Sequence, residues 1–434
     1  MSAQTALIIG LVWPEPTSSA AGSRMLQLIR FLQSGYEVSF ACAAAKGPHS
    51  FDLAALGVTT HEIRLNDDHF NVLIKNIRPA IVMFDRFAME EQYGWRVQQE
   101  CPDSLKILDT EDLHTLRNAR QLAVKSGGRV SDAEQFTDLA KRELAAILRC
   151  DLSLIISAAE MDILRDTYRI DASLLHHLPF LEEQITATAA AQWRDFEDRE
   201  GFVFIGNLLH EPNWDTVQYL KKVVWPVLRK RLPDVTLNIY GAYASQKVMQ
   251  LHQEKDRFLV HGRAADALTA ISSHRVLIAP IRFGAGLKGK FIDAMKSGTP
   301  SVTTTIGAEG MAGNMEWPGA IADQPEQFVS SATALYLDEL QWTEARRNGL
   351  KIINERYGRS TFESALHLKL RHLQATLGKH RQHNFVGQIL QHHSLNSLKY
   401  MSLWISEKNK KLDHQQNQRA KQDSIAEDQN EGPN

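Results

Sequence analysis

The chain of 434 residues is 43% apolar and 23% charged, with a formal net charge of -2. Its length suits two domains of moderate size rather than one ordinary core, and its composition is that of a soluble globular protein. A near-neutral balance gives no reason to expect a nucleic-acid partner, which usually demands a basic surface.

The first strong element is TALIIGL, an apolar strand within the longest apolar run near the start, Ala6 to Trp13. That run is far too short for a bilayer span, and no basic stretch precedes it, which argues against a secretory signal. A Pro/Ser/Gly loop follows from Pro14 to Ser23. Met25, Leu26, Leu28, Ile29 and Leu32 then mark one helix face, and EVSFACAA returns as a strand. Such a βαβ unit builds parallel sheets with helices on both faces. Further strands are expected at AIVMFD, KILDT and LSLII. A stretch rich in Ala, Thr and charge over 185–199 reads as a linker. A second series then starts with the strand GFVFIGN and one helix over EPNWDTVQYLKKVVWPVLRKRLP. VTLNIYG, RFLVHG, VLIAPI and SVTTT follow as strands, and the pattern beyond Pro325 is helical to about Leu377.

These signals predict an α/β protein of two doubly wound parallel sheets, residues 1–184 and 200–360, with the ligand in the cleft between them. Residues 361–377 are expected to form a helix packing back toward the N-terminal domain. Residues 378–434 form a polar extension whose apolar patch (Phe385, Ile389, Leu390, Leu395, Leu398, Met401, Leu403, Trp404) suits one more helix, and whose composition from Ser406 onward is that of a disordered tail. Cys42, Cys101 and Cys150 are scattered and odd in number, which disfavours a disulfide framework or four-cysteine zinc site and favours the cytoplasm. The seventeen histidines show no HExxH-like spacing, so no metal site is expected.

The segment VLIAPIRFGAGLKGKFIDAMKSGTPSVTTTIGAEG, Val276 to Gly310, carries the most chemistry. It reads as strand, glycine-rich turn, helix, strand, glycine-rich turn. Lys288 and Lys290 fall at the mouth of the helix that bears Asp293. A helix N-terminus repels cations, so two lysines there call for an anion, and glycine amides add donors for a phosphate or diphosphate. Gly284, Gly286 and Gly289 also spell GxGxxG with Glu309 about twenty residues on, the pattern of an NAD-dependent oxidoreductase. Against that reading, the motif follows a late strand of its domain and is crowded by lysines.

With FIGNLLHEPNWDTVQYL and the IYG strand end, this segment resembles the family-4-type retaining glycosyltransferases (group 1), which have two facing Rossmann-like domains, the GT-B architecture. ALIIGLVWPEPTSSAAGSRM and LDTEDLHTLR carry the likeness into the first half, over roughly residues 5 to 375. The resemblance implies a nucleotide-sugar donor held mainly by the C-terminal domain and a saccharide or glycolipid acceptor held mainly by the N-terminal one, with no further cofactor. It would set Lys288 and Lys290 on the donor diphosphate, with Gly206, Gly284, Gly286 and, in the first βα loop, Gly22 lining the nucleotide-sugar. Asp293 would bind the ribose hydroxyls. Many members carry a pair of glutamates here; in this chain the second position holds Asp293 and the first Ala285, so the pair is incomplete. No DxD motif is present, Asp109-Thr110-Glu111 being the nearest approach, and the lysines favour a metal-independent reaction.

On the acceptor side, LDTEDLH gathers Glu111, Asp112 and His114 just past a strand. His114 is a candidate base, against the alternative of helix capping with a surface histidine. Asp85 and Arg86 end AIVMFDRF as acceptor contacts or as a structural ion pair. Glu309, in a glycine-bounded loop, is a further catalytic candidate alongside Lys288. If the acceptor is lipid-linked, the apolar patch of the extension would give peripheral contact with the inner membrane face. An epimerase of the same fold, or a non-catalytic sugar-nucleotide binding subunit, are the remaining alternatives.

Overall fold

The computed structural model describes residues 4–128 and 135–430. The N-terminal domain is built on β1 (Thr5–Gly10), α1 (Ala20–Gln33), β2 (Glu37–Cys42), β3 (Thr59–Glu62), α2 (His69–Ile77), β4 (Ile81–Asp85), α3 (Phe87–Glu100), β5 (Leu105–Asp109), α4 (His114–Ser126), α5 (Asp138–Arg149), β6 (Leu152–Ile155), α6 (Ala158–Asp162) and β7 (Leu175–His177). Its strands form one parallel sheet in the order β3-β2-β1-β4-β5-β6-β7. Residues such as Leu7, Ile8, Val82 and Ile107 are buried because helices cover both faces, which is why these strands read as unbroken apolar runs.

The C-terminal domain repeats the plan with β8 (Phe202–Ile205), α7 (Glu211–Tyr219), α8 (Trp225–Arg231), β9 (Leu237–Tyr240), β10 (Phe258–Gly262), α9 (Ala267–Ser272), β11 (Val276–Ala279), α10 (Gly289–Lys296), β12 (Ser301–Thr303), β13 (Gly319–Ile321), α11 (Pro325–Leu337) and α12 (Glu339–Arg356). Its parallel sheet runs β10-β9-β8-β11-β12-β13. In each domain the order reverses beside the first strand, between β1 and β4 and between β8 and β11. A crevice opens there beyond the strand C-termini.

Two stretches cross between the domains, and they run side by side. The Glu182 N–H donates to the Tyr357 carbonyl (2.8 Å) and the Arg359 N–H to the Glu182 carbonyl (2.9 Å). Past this point α13 (Arg359–His383) buries Leu366, Leu370 and Leu373 in the N-terminal core with Met25, Phe31 and Leu32. The final helix, α14, spans Phe385–Asn430.

Three expectations change. The single helix over 211–233 is interrupted by a π-helical turn, Leu220–Val224, just before Pro226. Proline lacks an N–H and its ring clashes with the preceding turn, so the ladder shifts register there. Strands β3, β7 and β13 carried no clear signal: each is an edge strand of three or four residues, with polar positions along β3 (Thr59, Thr60, His61, Glu62) and β7 (His176, His177). The disorder expected from Ser406 is replaced by helix through Asn430, a stretch of helix-forming Lys, Gln, Glu and Ala without Gly or Pro. The side chain of Leu395 lies outside the described residues.

Candidate active site

The loops at the two reversal points meet around a cavity of ≈ 450 Å³. Its C-terminal wall is the β11–α10 turn with the loop after β8, and its N-terminal wall is the β1–α1 loop with the ends of β4 and β5. Gly206, Gly284, Lys288, Lys290, Asp293, Arg86, Glu111, Asp112 and His114 all line it; Gly22, Asp85, Gly286 and Glu309 do not.

On the C-terminal wall, α10 starts at Gly289 with Lys288 as its cap residue in extended conformation. The Lys288 ammonium donates to the Gly286 carbonyl (2.9 Å), and that of Lys290 to the Asn213 Oδ1 (2.6 Å). Among the described residues neither makes an ion pair within 4.0 Å, so both lack a directly paired carboxylate beside the positive end of a helix. Burial pulls Lys288 down to about 8, with Glu309 opposing it. Burial and then the neighbouring Lys288 pull Lys290 down to about 7. Asp293, further along the helix, is pushed up to about 6 by burial, against the pull of Lys296.

The domains approach closely here. A Cβ on Gly289 would stand 2.5 Å from the Ala20 Cβ at the start of α1, so the two helix N-termini abut. Gly286, with φ 63°, brings its backbone against the N-terminal domain, where a side chain would sit 2.8 Å from the Asp112 Cβ. Its N–H donates to Glu160 Oε1 (2.8 Å), which also accepts from the Leu113 N–H (2.9 Å). Glu160 thus ties the two loops together. Nothing in its surroundings in the sequence singled it out, because its partners are backbone amides from distant segments.

The N-terminal wall is a carboxylate cluster with its own counter-charges. Asp109, at the end of β5, is fully buried and takes three bonds from the equally buried Arg24 guanidinium (3.0, 3.3 and 2.8 Å), whose other nitrogen reaches the Leu178 carbonyl (2.8 Å). Arg24, missed in the sequence, was hidden on the predicted apolar face of α1. Asp112 pairs with Arg117. Burial would raise Asp112, but Arg117 and then His114 outweigh it and leave its carboxyl below the ordinary value. Burial pushes Glu111 up to about 8, with Asp109 adding to the effect, and its Oε1 has no protein partner. Burial also lowers His114 to about 4 although Asp112 lies 3.4 Å away, so the ring is neutral at pH 7. Arg86 (φ 70°) and Glu111 (φ 62°) both hold left-handed backbone at the cavity, a strain costing about 1–3 kcal/mol each that the surrounding structure must offset.

The four site residues that miss the cavity have structural partners. Glu309 grips Arg120 through both oxygens (2.7 and 2.8 Å), and Arg120 also binds the Gly284 carbonyl (2.8 Å), so this acid braces the β11–α10 turn from behind. Gly22 packs on the Glu15 backbone, 2.4 Å from where its Cβ would be. Asp85 accepts from the Leu11 N–H (3.0 Å) and lies 3.6 Å from its neighbour Arg86. Gly286 serves the interdomain contact. Across the mouth, Arg263 binds Ser18 (2.8 Å) and Tyr243 binds Glu15 (2.5 Å). Among the described residues no three His, Cys, Asp or Glu side chains gather as a metal site.

Residues 199–338 match the model of the glycosyl transferases group 1 family. A 44.6 kDa protein of the Klebsiella pneumoniae cps region, itself uncharacterised, is 26% identical over 162 residues, 36% of this chain and 42% of that protein. The chain therefore aligns with less than half of this relative's length. Among solved structures, sucrose-phosphate synthase of Thermosynechococcus elongatus superposes with a TM-score of 0.64 at 14% identity, covering 86% of this chain and 100% of that one. The HepE protein of Anabaena, in complex with UDP and glucose, gives 0.60 at 14% identity over 84% and 99%. Staphylococcus aureus TarM gives 0.54 at 14% over 69% and 58%. The C-terminal domain is thus similar to the glycosyl transferases group 1 family, and the chain as a whole has the GT-B fold of its structural neighbours.

Proposed function

We propose that this protein moves a hexosyl group from a nucleotide-diphosphate-sugar to an acceptor hydroxyl, with retention of configuration and without a metal. The observation that carries this reading is the pair Lys288 and Lys290: two half-buried ammonium groups at a helix N-terminus, on a cavity wall, with no carboxylate within ion-pair distance. In the transfer, the sugar's bond to the diphosphate oxygen breaks as the acceptor oxygen bonds the anomeric carbon, and the hydroxyl proton passes to the departing oxygen. Negative charge grows on the leaving group, and fixed cations and amides aimed at it favour the transition state over the ground state.

Asp293 lines the same wall and would accept from ribose hydroxyls. Arg86, Glu111 and Asp112 would hold the acceptor. His114, neutral with so low a pKa, serves better as a hydrogen-bond partner than as a strong base. Retention rests on the family resemblance. The likeness to a cps-region protein supports a role in cell-surface polysaccharide or glycolipid synthesis, and the scattered cysteines favour the cytoplasm as its place.

The test is turnover with UDP-, GDP- and ADP-sugars, followed by mass analysis of products. Release of free nucleotide diphosphate with a glycosylated acceptor or hydrolysed sugar is expected. An isomerised nucleotide-sugar without release would assign an epimerase, and tight binding without any turnover a non-catalytic subunit.

A further inference from the structure

Helix α14 is packed with its apolar side outward. The side against the N-terminal domain mixes small and polar residues with the half-buried Leu398 and Ile405. Gln391 donates to the Arg149 carbonyl (2.6 Å), and Ser402 accepts from Arg96 (3.1 Å). A side chain at Gly387 would run into the Leu148 carbonyl at 2.1 Å. Ser402 and Ser406 are 5% and 6% exposed. At ~100° per residue the opposite side is Phe385, Val386, Ile389, Tyr400, Leu403 and Trp404. Phe385, Tyr400 and Trp404 are 64%, 68% and 64% exposed. Burying such rings within a protein is favourable, and leaving them out is not explained by the fold of this chain.

The charges around this face indicate what covers it. Between Phe385 and Leu412 there are four lysines, Lys399, Lys408, Lys410 and Lys411, against the single acid Glu407. Lys408 lies over the Trp404 ring at 5.4 Å, and Lys410 reaches back to Asp68 at 3.8 Å. Lysines are depleted from the cores of protein–protein interfaces, whereas Trp and Tyr flanked by Lys suit the headgroup layer of a bilayer. No described helix is long and apolar enough to cross a membrane, so the contact would be a surface one.

We propose that the outward face of α14 docks on an anionic lipid surface, with Phe385, Ile389, Tyr400 and Trp404 in the headgroup region and Lys399, Lys408 and Lys411 on the phosphates. Because α14 is fixed to α3 and α5, this holds the N-terminal domain against the membrane. The inference does not depend on the transferase reading.

The full chain is sedimented with phosphatidylglycerol-containing vesicles and with pure phosphatidylcholine vesicles. Binding is expected on the anionic vesicles and much less on the neutral ones, weakening as salt is added. The triple variant Lys399→Gln, Lys408→Gln, Lys411→Gln should bind roughly a hundredfold more weakly, and Tyr400→Ser with Trp404→Ser at least roughly tenfold more weakly. Both variants should keep the parent's thermal melt and UDP affinity, which separates membrane docking from folding and from the donor site. Absence of sedimentation on anionic vesicles overturns the proposal, as does equal binding to both vesicle types. A dimer in the ultracentrifuge that the Trp404→Ser variant dissolves would also overturn it, assigning the face to a second copy.

Discussion

On the C-terminal wall of the cleft Lys288 and Lys290 end on a carbonyl and an amide oxygen, whereas on the N-terminal wall Arg24, Arg86 and Arg117 each lie beside a carboxylate. The first wall keeps its positive charge for something else. The second neutralises itself and uses charge to hold a shape: Asp109 with Arg24 fixes the end of β5, from which Glu111 and Asp112 are presented. A wall that reserves its charge should respond strongly to an anion and little to loss of a partner. A self-neutralised wall should do the reverse.

The largest effect is expected where that second wall is broken. Arg24→Ala leaves Asp109 buried and unpaired, and should cost ~3–5 kcal/mol in urea unfolding. If stability barely moves, Asp109 is not held as an ion pair. Next comes Lys288→Ala on the reserving wall, which should lower kcat/KM by ~3 kcal/mol, on the order of a hundredfold, with weaker UDP binding by calorimetry and little change in unfolding. Equal UDP affinity in the variant and the parent would remove the diphosphate role. Gly22→Ala should cost ~1–3 kcal/mol in stability through the clash with Glu15, yet leave UDP affinity as in the parent, since Gly22 lies off the cavity.

Two smaller effects are read through pH. Glu111 has its carboxyl raised to about 8 from 4.5, so the folded state binds the extra proton between those values. Its contribution is full below pH 4.5 and is lost as pH rises through 8; Glu111→Gln should therefore flatten the fall in stability across that window. Lys288 and Lys290 are shifted the other way, to about 8 and about 7 from 10.5. A bound diphosphate would restore their ordinary values, so UDP binding at pH 8 should take up roughly 1.4 protons, about half of one on Lys288 and most of one on Lys290, seen as a buffer-dependent binding enthalpy. Lys288→Met should reduce that uptake, and Glu111→Gln should not.

Much of this was legible in the sequence, and the rest was not for definite reasons. The buried central strands announced themselves as apolar runs, and the β11–α10 turn as glycines and lysines between a strand and a helix, all local patterns. The edge strands β3, β7 and β13 are short and half covered, so they lack such a pattern. The π turn at Leu220–Val224 sits inside a run whose periodicity is helical on both sides, and only Pro226 hinted at it. Glu309 had the right loop position, but a loop position does not say which way a side chain turns, and Gly22, read in the first βα loop, lies in the first turn of α1. Glu309 turned to Arg120 and Gly22 to the Glu15 backbone.

By itself, the sequence determined the two doubly wound domains, the cleft between them and the cationic turn at Lys288 and Lys290, because each follows from residues within one strand–turn–helix. Only the tertiary structure decided which acids are spoken for, that Glu160 joins the loops at Leu113 and Gly286, and that α14 turns its aromatic side away from the domain. Those outcomes depend on pairing between segments far apart in the chain, and no local pattern of residues encodes the distance between them.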